Sequence, residues 1–388
     1  MSQGPSNFAF SPELMLIVAA ATPRLHLGIS AETNAIFAGV RDWNAVGDLA
    51  ARHGLRPVCF EFIRKFKSGS VPEDWLQSLS KIIRPLSQRS LALSAELVSI
   101  LGILERADIR AVPYKGPALA AQAFGDIARR EYSDLDLLVH HEEISKIAGA
   151  LQREGYRAAL PLERTLQNIP GQYSFSRPGG LPVEFHTEKT LRYYPRPIDL
   201  TKLEARLVTV RIGDRILRTF APEDALTILS VHGSKHLWAR LMWVADIAWL
   251  IESTPQFDWS AAMKCAEEFG ATRMMLTGAG LASELLGAKL PEDIKRHVSE
   301  QGGVAFLMRE SRNELFSSPA GAMQRAIFRI RSVDGFGAGL RYLFRLTSSP
   351  AEEDWAGERG QISSALSRPA RLLRKYGIRR ADSRRNNG

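Results

Sequence analysis

The stretch Glu131-Tyr132-Ser133-Asp134-Leu135-Asp136-Leu137-Leu138-Val139 decides the fold that we predict for this chain. Its apolar residues indicate a β-strand, and side chains alternate faces along a strand. Asp134 and Asp136 therefore share one face, while Leu135 and the other alternate residues point into a core. Two like charges beside apolar packing repel each other and lose hydration, and a divalent cation bound by both carboxylates removes these costs. Because a solvated edge strand can carry the same pair, the flanking sequence has to decide.

The segment before the aspartates predicts a strand, a glycine turn and a helix. Residues 109–114 are strand-like, Lys115-Gly116 follows them, and Pro117 suits the first turn of a helix over 117–124. Free backbone amides and the positive end of the helix dipole, with the charge of Lys115, favour a site for a triphosphate. The alternative is a plain turn that uses Gly116 for its backbone freedom.

A third carboxylate follows at Glu184, which alternates with Val183 and Phe185 on a predicted strand. If this strand pairs with the aspartate strand, Glu184 can bind the same metal or act as a general base; otherwise it faces solvent. Arg130, four residues before Asp134, is a candidate for contacting phosphates or bracing the aspartates, and Arg129 is a candidate for the same tasks.

Another candidate group is His232-Gly233-Ser234-Lys235-His236, followed by Arg240, Trp243 and Asp246. We predict one helix through this region, from Leu226 to Glu252, which places the two histidines on one face. A zinc site is disfavoured, because the second position of an H-E-x-x-H pattern lacks Glu and no third ligand is indicated. We therefore expect a helix that lines the cleft with Lys235 or a histidine near the substrate, or else a packing face.

By pattern, the chain divides into four segments. Residues 1–107 are predicted as an α-helical N-terminal domain, 108–220 as an α+β core, 221–347 as an α-helical domain that closes the cleft, and 348–388 as a segment with a basic, flexible arm. Three further elements are predicted inside the core: a helix from about Glu142 to Glu154 closed by Gly155, a hairpin over 172–187 that turns at 177–180, and a hairpin over 207–220 that turns at 213–214.

The composition is that of a globular protein, with 388 residues, 45% hydrophobic and 24% charged. This length favours two or three domains. The apolar run from Leu14 to Ala21 is too short to span a bilayer, so we expect a cytoplasmic protein with no transmembrane segment. Cys59 and Cys265 lack metal-site spacing and are predicted to be buried free thiols.

The net charge of +9 is concentrated at one end of the chain. Residues 368–388 contain eight basic residues and one acid, which leaves the remainder close to neutral. The pattern argues against a charged nucleic-acid groove. It leaves open a solvated tail, or a tail that contacts nucleic acid, acidic lipid or an acidic partner.

Taken together, these motifs resemble the uncharacterised bacterial nucleotidyltransferase family of the DNA polymerase beta-like superfamily, over about residues 90 to 376. The segments that carry the resemblance are 112–116, 130–139, Gly155-Tyr156, 183–186, 232–246, 349–355 and 368–372. The resemblance implies an α+β fold in which a small mixed-sheet core is flanked by helical regions.

The resemblance also implies metal-dependent transfer of a nucleoside monophosphate from a nucleoside triphosphate to an acceptor hydroxyl, with release of pyrophosphate. Asp134 and Asp136 would hold Mg²⁺ or Mn²⁺, and Glu184 would take the place of the family's usual third Asp. The turn at 115–116 departs from the superfamily's usual Gly-Ser or Gly-Gly, and Glu184 is one methylene longer than Asp.

Two questions stay open on the sequence. The acceptor can be a small molecule, a sugar, a peptide or a protein hydroxyl. The alternative to an enzyme is a non-catalytic nucleotide- or partner-binding protein on a degenerate nucleotidyltransferase scaffold, because a fold does not guarantee chemistry.

Overall fold

The computed structural model describes residues 10–28, 31–66, 71–159, 171–188, 195–196, 198–317 and 319–348. The fold is α+β, with a small mixed sheet among many helices, as the sequence predicts. The α-helices are α1 Pro12–Ala21, α2 Ala31–Gly39, α3 Trp43–His53, α4 Arg56–Phe66, α5 Glu73–Arg106, α6 Gly116–Leu119, α7 Ile144–Arg153, α8 Leu200–Glu204, α9 Pro222–Lys235, α10 Leu241–Ser253, α11 Trp259–Phe269, α12 Thr272–Leu286, α13 Glu292–Glu300, α14 Gly302–Phe316, α15 Ala322–Arg331 and α16 Phe336–Ser348.

Seven strands form two sheets. They are β1 Val112–Pro113, β2 Leu135–Val139, β3 Arg157–Ala158, β4 Gln172–Ser176, β5 Val183–Thr187, β6 Val208–Ile212 and β7 Arg215–Thr219. The five-stranded sheet has the order β1-β2-β5-β4-β3, and β6 and β7 form a separate hairpin. In the larger sheet β2 and β5 are parallel, whereas the other neighbours are antiparallel. Both predicted hairpins are confirmed.

Strand β2 has two different faces, because its side chains alternate. Leu135, Leu137 and Val139 are at most 1% exposed and belong to a core formed with α5, α7, β4, β5, β6 and β7. Their predicted burial is confirmed. One correction concerns Asp134, which directly precedes the strand rather than lying within it.

The predicted strand over 109–114 is shorter than expected, since β1 contains two residues. Pro113 has no N–H to donate to the ladder, and its carbonyl accepts a hydrogen bond from the Thr219 hydroxyl at 2.7 Å. The helix that follows begins at Gly116 and continues as a π-helical turn over Ala120–Phe124. The order of strand, turn and helix is therefore as predicted, with a shorter strand.

A second core joins helices from both ends of the chain. Buried residues of α1, α3 and α4 belong to the same apolar cluster as those of α9, α10 and α12, for example Leu16, Phe62, Leu226 and Leu250. Cys265 is a buried free thiol in this cluster. One apolar core therefore joins the N-terminal helices to the helices that follow the sheet in sequence.

The prediction of one continuous helix from Leu226 to Glu252 is wrong, because α9 ends at Lys235 and α10 begins at Leu241. Leu237 and Trp238 have positive φ angles of 53° and 57°, which a continuing helix does not allow. Trp238 folds back onto α9, where a Cβ added to Gly233 would lie 2.5 Å from its ring. Tertiary packing of this tryptophan therefore outweighs the local helical pattern.

Two other expectations concern a transmembrane segment and the basic arm. No helix within the described ranges is long and apolar enough to cross a membrane. The basic segment 368–388 lies outside the described residues.

Candidate active site

A cleft of about 660 Å³ lies where the polar face of the sheet meets the turn between α9 and α10. We call two groups of its lining residues the sheet wall and the helical wall. The sheet wall consists of Lys115, Asp134, Asp136, Glu184 and His186. The helical wall consists of His232, Lys235, His236 and Trp243. Gly116 and Arg130 also line the cleft, whereas the candidates Arg129 and Asp246 do not.

Strand pairing places the sheet-wall side chains side by side. Asp136 on β2 is in register with Glu184 on the parallel strand β5, and His186 lies two residues further along the same face. Asp136, Glu184 and His186 each offer a ligand atom, and these atoms all lie within 4.8 Å of one another. Asp134, also among the described residues, is outside this group of three.

The three side chains are already connected by polar contacts. His186 Nε2 lies 2.9 Å from Asp136 Oδ1 and 3.5 Å from Glu184 Oε2, and Lys115 Nζ lies 3.5 Å from Asp136 Oδ1. The Gln172 amide donates to Glu184 Oε2 at 2.9 Å. Asp136 therefore lies beside Lys115 and His186, whereas Glu184 lies beside His186 and a neutral donor on β4.

The pKa values of the two aspartates are shifted in opposite directions. Burial alone would raise the pKa of Asp136, but Lys115 and His186 outweigh it and hold that pKa well below its usual range. Burial raises the pKa of Asp134, and the charges of Asp136 and Glu184 raise it further. Asp136 is thus a firmly ionised carboxylate. At Asp134, burial and the repulsion of the two acidic neighbours outweigh the attraction of Lys115 and Arg130.

The same contacts favour the charged form of His186. Burial lowers the pKa of His186, but the hydrogen bonds with Asp136 and Glu184 outweigh burial and raise it. Its side chain is only 13% exposed, so this charge stays close to the two carboxylates.

The turn at Lys115-Gly116 fits tightly against the start of β2. Gly116 has a φ of +52°, and a Cβ added there would lie 3.2 Å from the Asp134 carbonyl oxygen. This close approach requires glycine, and it fixes the position of the turn relative to the aspartates.

Arg130 lines the cleft, but its guanidinium is paired with a carboxylate. Its Nε and Nη2 donate to the two oxygens of Asp246 on α10 at 2.7 and 2.9 Å, and both side chains are buried. Arg129 forms a comparable pair with Glu61 on α4. The first pair connects the sheet side of the cleft to α10.

The helical wall is built from packed rings. Ring centroids lie 4.9 Å apart for His232 and His236, and Trp243 lies 5.5 and 5.0 Å from them respectively. Burial, with nearby Lys115, holds the pKa of His232 well below its ordinary value. Burial, with nearby Lys235, lowers the pKa of His236 to about 3. Both rings are therefore neutral at pH 7.

Sequence reasoning missed His186 as a member of the site. The signal was present, because Glu184 and His186 are two residues apart on a strand, the same spacing that selected Asp134 and Asp136.

The donor set fits a divalent cation. Two carboxylates and a deprotonated imidazole suit ions that accept both oxygen and nitrogen, such as Mn²⁺, so His186 has to lose its proton to bind such an ion. The carboxylates alone suit Mg²⁺. The raised pKa of Asp134 shows negative charge that a cation would relieve. A metal at Asp136 has to share or replace the contacts that Lys115 and His186 make with that carboxylate.

Residues 40–287 match the model of a family described as uncharacterised nucleotidyltransferase. This region contains the sheet wall and the helical wall, and it begins earlier and ends earlier than the span expected from the motifs. A solved structure of an antigenic nucleotidyltransferase-like protein from Paracoccidioides brasiliensis is similar at 18% identity with a TM-score of 0.34, covering 52% of this chain and 96% of that chain. A search of curated proteins found no match.

Proposed function

This chain belongs to the uncharacterised nucleotidyltransferase family, and from that premise we propose that it is a metal-dependent enzyme that transfers a nucleoside monophosphate to an acceptor hydroxyl. In this reaction the acceptor oxygen bonds to the α-phosphorus of a nucleoside triphosphate. The bond from that phosphorus to its bridging oxygen breaks, and pyrophosphate leaves with the bond's electron pair.

The observation that carries the proposal is the register of Asp136 with Glu184. Two carboxylates on adjacent parallel strands, with His186 beside them, form a compact group of potential metal ligands next to a lysine. Asp136 would hold the ion, together with Glu184 unless Glu184 serves as the base, and Asp134 and His186 would complete its surroundings. A bound Mg²⁺ or Mn²⁺ would offset the charge that develops on the transferring phosphate and on pyrophosphate.

The protein's own cations serve the phosphates in this proposal. Lys115 is on the sheet wall and Lys235 on the helical wall, so the two ammonium groups border one cleft. Gly116 brings the backbone of the turn close to the aspartates, where N–H groups can donate to phosphate oxygens. Arg130 acts indirectly, because its guanidinium already binds Asp246.

Glu184 is the best placed base for the acceptor hydroxyl. Its side chain is 27% exposed, compared with 9% for Asp136, so it reaches the open part of the cleft. Its carboxylate accepts a hydrogen bond from Gln172, which orients it. We propose that Glu184 takes the acceptor proton or binds the metal.

The helical wall is proposed to contact the nucleoside. The rings of His232, His236 and Trp243 offer flat, uncharged surfaces beside Lys235, which suits a nucleobase next to a phosphate chain.

We also propose that the chain belongs to a bacterial family within the DNA polymerase beta-like superfamily. Its domains are proposed to divide at residues 107, 220 and 347. The proposed acceptor is a small molecule, a peptide or a protein.

The test is incubation of the full chain with each α-³²P-labelled nucleoside triphosphate, Mg²⁺ or Mn²⁺, and cell extract. We expect label on one acceptor class and stoichiometric pyrophosphate with wild type, and neither with Asp136→Asn. Equal labelling by wild type and by Asp136→Asn would overturn the proposed site.

A non-catalytic nucleotide-binding protein is the second candidate. One observation favours it: Asp136 is already compensated by Lys115 and His186, so the carboxylate is stable without a metal. This alternative predicts triphosphate binding without pyrophosphate release under all the conditions above.

A further inference from the structure

Helices α15 and α16 carry an unusual concentration of exposed apolar side chains. In the described part of the chain, ten large hydrophobic side chains are exposed, and five of them are in these two helices. We call these five residues the hairpin face. They are Met323 at 77%, Ile327 at 38%, Phe336 at 73%, Leu340 at 44% and Phe344 at 71% exposure.

The hairpin face is a continuous feature of both helices. Met323 and Ile327 are four residues apart on α15, and Phe336, Leu340 and Phe344 are four apart on α16, so each set lies along one side of its helix. The two helices contact each other, and α15 contacts α14. Phe328 and Tyr342 are at most 4% exposed and anchor the pair to the core.

The two helices themselves are rich in positive charge, although one of their arginines, Arg325, is paired with Glu314 of α14. Residues 321–348 contain five arginines and one acid, Asp334. That acid is paired with Arg273 of α12 at 2.8 Å. Arg331 and Arg341 are exposed on the same two helices. An exposed apolar surface with surrounding arginines is the pattern of helices that lie in a lipid interface.

We propose that the hairpin face binds the surface of an anionic lipid membrane, with the phenylalanines among the acyl chains and the arginines at the headgroup phosphates. The helices have 10 and 13 residues, whereas crossing a bilayer takes about 20. They therefore lie along the interface instead of spanning it. The +7 charge of residues 368–388, further along the chain, favours the same surface.

Two other partners fit less well. In a symmetric pair of copies the same patch meets itself, which brings Arg331 and Arg341 of both copies together, and like charges at an interface are unfavourable. Nucleic acid would satisfy the arginines but would leave the five apolar side chains of the hairpin face in water, because its phosphates offer them no apolar contact.

The test is vesicle flotation of the full chain with phosphatidylcholine alone and with phosphatidylcholine mixed with phosphatidylglycerol. We expect binding to the mixed vesicles, weaker binding at high salt, and little binding to phosphatidylcholine alone. Phe336→Ser/Phe344→Ser should lower the partition coefficient about tenfold or more, because the apolar contact is lost. The double variant Arg331→Gln/Arg341→Gln should lower the partition coefficient for the mixed vesicles but not that for phosphatidylcholine vesicles.

The matched control is Leu91→Ser, which removes a side chain of 60% exposure on α5 that does not belong to the hairpin face. It should leave vesicle binding unchanged. Absence of binding to mixed vesicles, or binding that the phenylalanine variant retains in full, overturns the proposal. So does a wild-type dimer in solution that the phenylalanine variant converts to a monomer. Circular dichroism establishes that each variant is folded.

Discussion

The sheet wall and the helical wall border one cleft but differ in the charge state of their titratable groups. On the sheet wall, Asp136 is ionised because Lys115 and His186 compensate it. On the helical wall, His232 and His236 are neutral because burial and nearby lysines oppose their charge. In the proposed function this difference corresponds to two tasks, with ions and phosphates bound at the sheet wall and the nucleoside contacted by the uncharged rings of the helical wall.

One buried ion pair connects the protein segments that carry the two walls. Arg130 precedes β2, Asp246 is on α10, and their side-chain exposures are 6% and 2%. Because α10 also carries Trp243, the position of the ring cluster relative to Asp136 depends on this pair. The walls are therefore chemically distinct and mechanically linked.

The largest expected effect is loss of activity in Asp136→Asn, which removes the charge at the centre of the sheet wall. We expect the rate of nucleotide transfer to fall by about 1000-fold or more, as for loss of a principal electrostatic group. Pyrophosphate release measures it. Asp126→Asn, an exposed aspartate that caps the amide of Ala128, is the control and should retain activity. A comparable loss in the control would break the assignment.

Next in size is the effect of Asp246→Ala on folding, which tests the link between the walls. Arg130 would be left buried and unpaired, at a cost of about 3–5 kcal/mol in the free energy of unfolding. Urea denaturation measures this loss. Glu154→Ala breaks the exposed pair of Arg106 and Glu154 at 3.8 Å and should cost less than about 1 kcal/mol. If both variants lose the same stability, the buried pair is not a structural link.

The turn that builds the helical wall is tested by Gly233→Ala. The added Cβ would lie 2.5 Å from the ring of Trp238, which is fully buried and has no space to move. We expect a loss of about 1–3 kcal/mol by thermal or urea unfolding. Gly149→Ala on α7 is the matched control, because nothing lies within 4 Å of its added Cβ and helix propensity should make it neutral or stabilising. A destabilised Gly149→Ala with an unaffected Gly233→Ala would contradict this packing.

The smallest effect concerns pH and the start of α10. His53 is 1% exposed, its Nδ1 accepts a hydrogen bond from the Leu241 amide at 3.3 Å, and burial, with the charges of Arg52 and Arg240, lowers its pKa to about 4. The folded state therefore holds this ring neutral, while the unfolded state binds a proton below about pH 6.5. Stability from this group falls as pH falls from 6.5 towards 4, by about 1–2 kcal/mol between pH 6.5 and 5.

Urea denaturation across this pH range checks the slope, with His53→Gln as the comparison because glutamine does not titrate. We expect the variant to be less stable at pH 7 but to lose less stability on acidification. Identical slopes for the two proteins would contradict a neutral buried His53.

The sheet wall was largely predictable from sequence because its pattern is local. Alternation placed Asp136 and Leu137 on opposite faces of β2, and the hairpin turn at 177–180 identified β5 with Glu184. What sequence could not supply was the parallel pairing of β2 with β5, which depends on the whole sheet.

The helical wall was less predictable because its shape depends on tertiary contacts. Local pattern continues the helix through Leu237 and Trp238, but burial of Trp238 against Gly233 ends it. Likewise, nothing near Arg130 in the sequence indicates Asp246 as its partner, 116 residues away. Propensity describes neighbours along the chain, whereas these contacts are made across it.

The central claim, that the sheet wall holds the metal and the helical wall contacts the nucleotide, is tested most directly by Mn²⁺ titration followed by electron paramagnetic resonance. Wild type, Asp136→Asn and Trp243→Ala would be compared, each with and without a non-hydrolysable triphosphate analogue. We predict that Asp136→Asn loses Mn²⁺ binding. Trp243→Ala should bind Mn²⁺ as wild type does, but the triphosphate analogue should no longer change its Mn²⁺ spectrum. Wild-type Mn²⁺ binding by Asp136→Asn would contradict the claim.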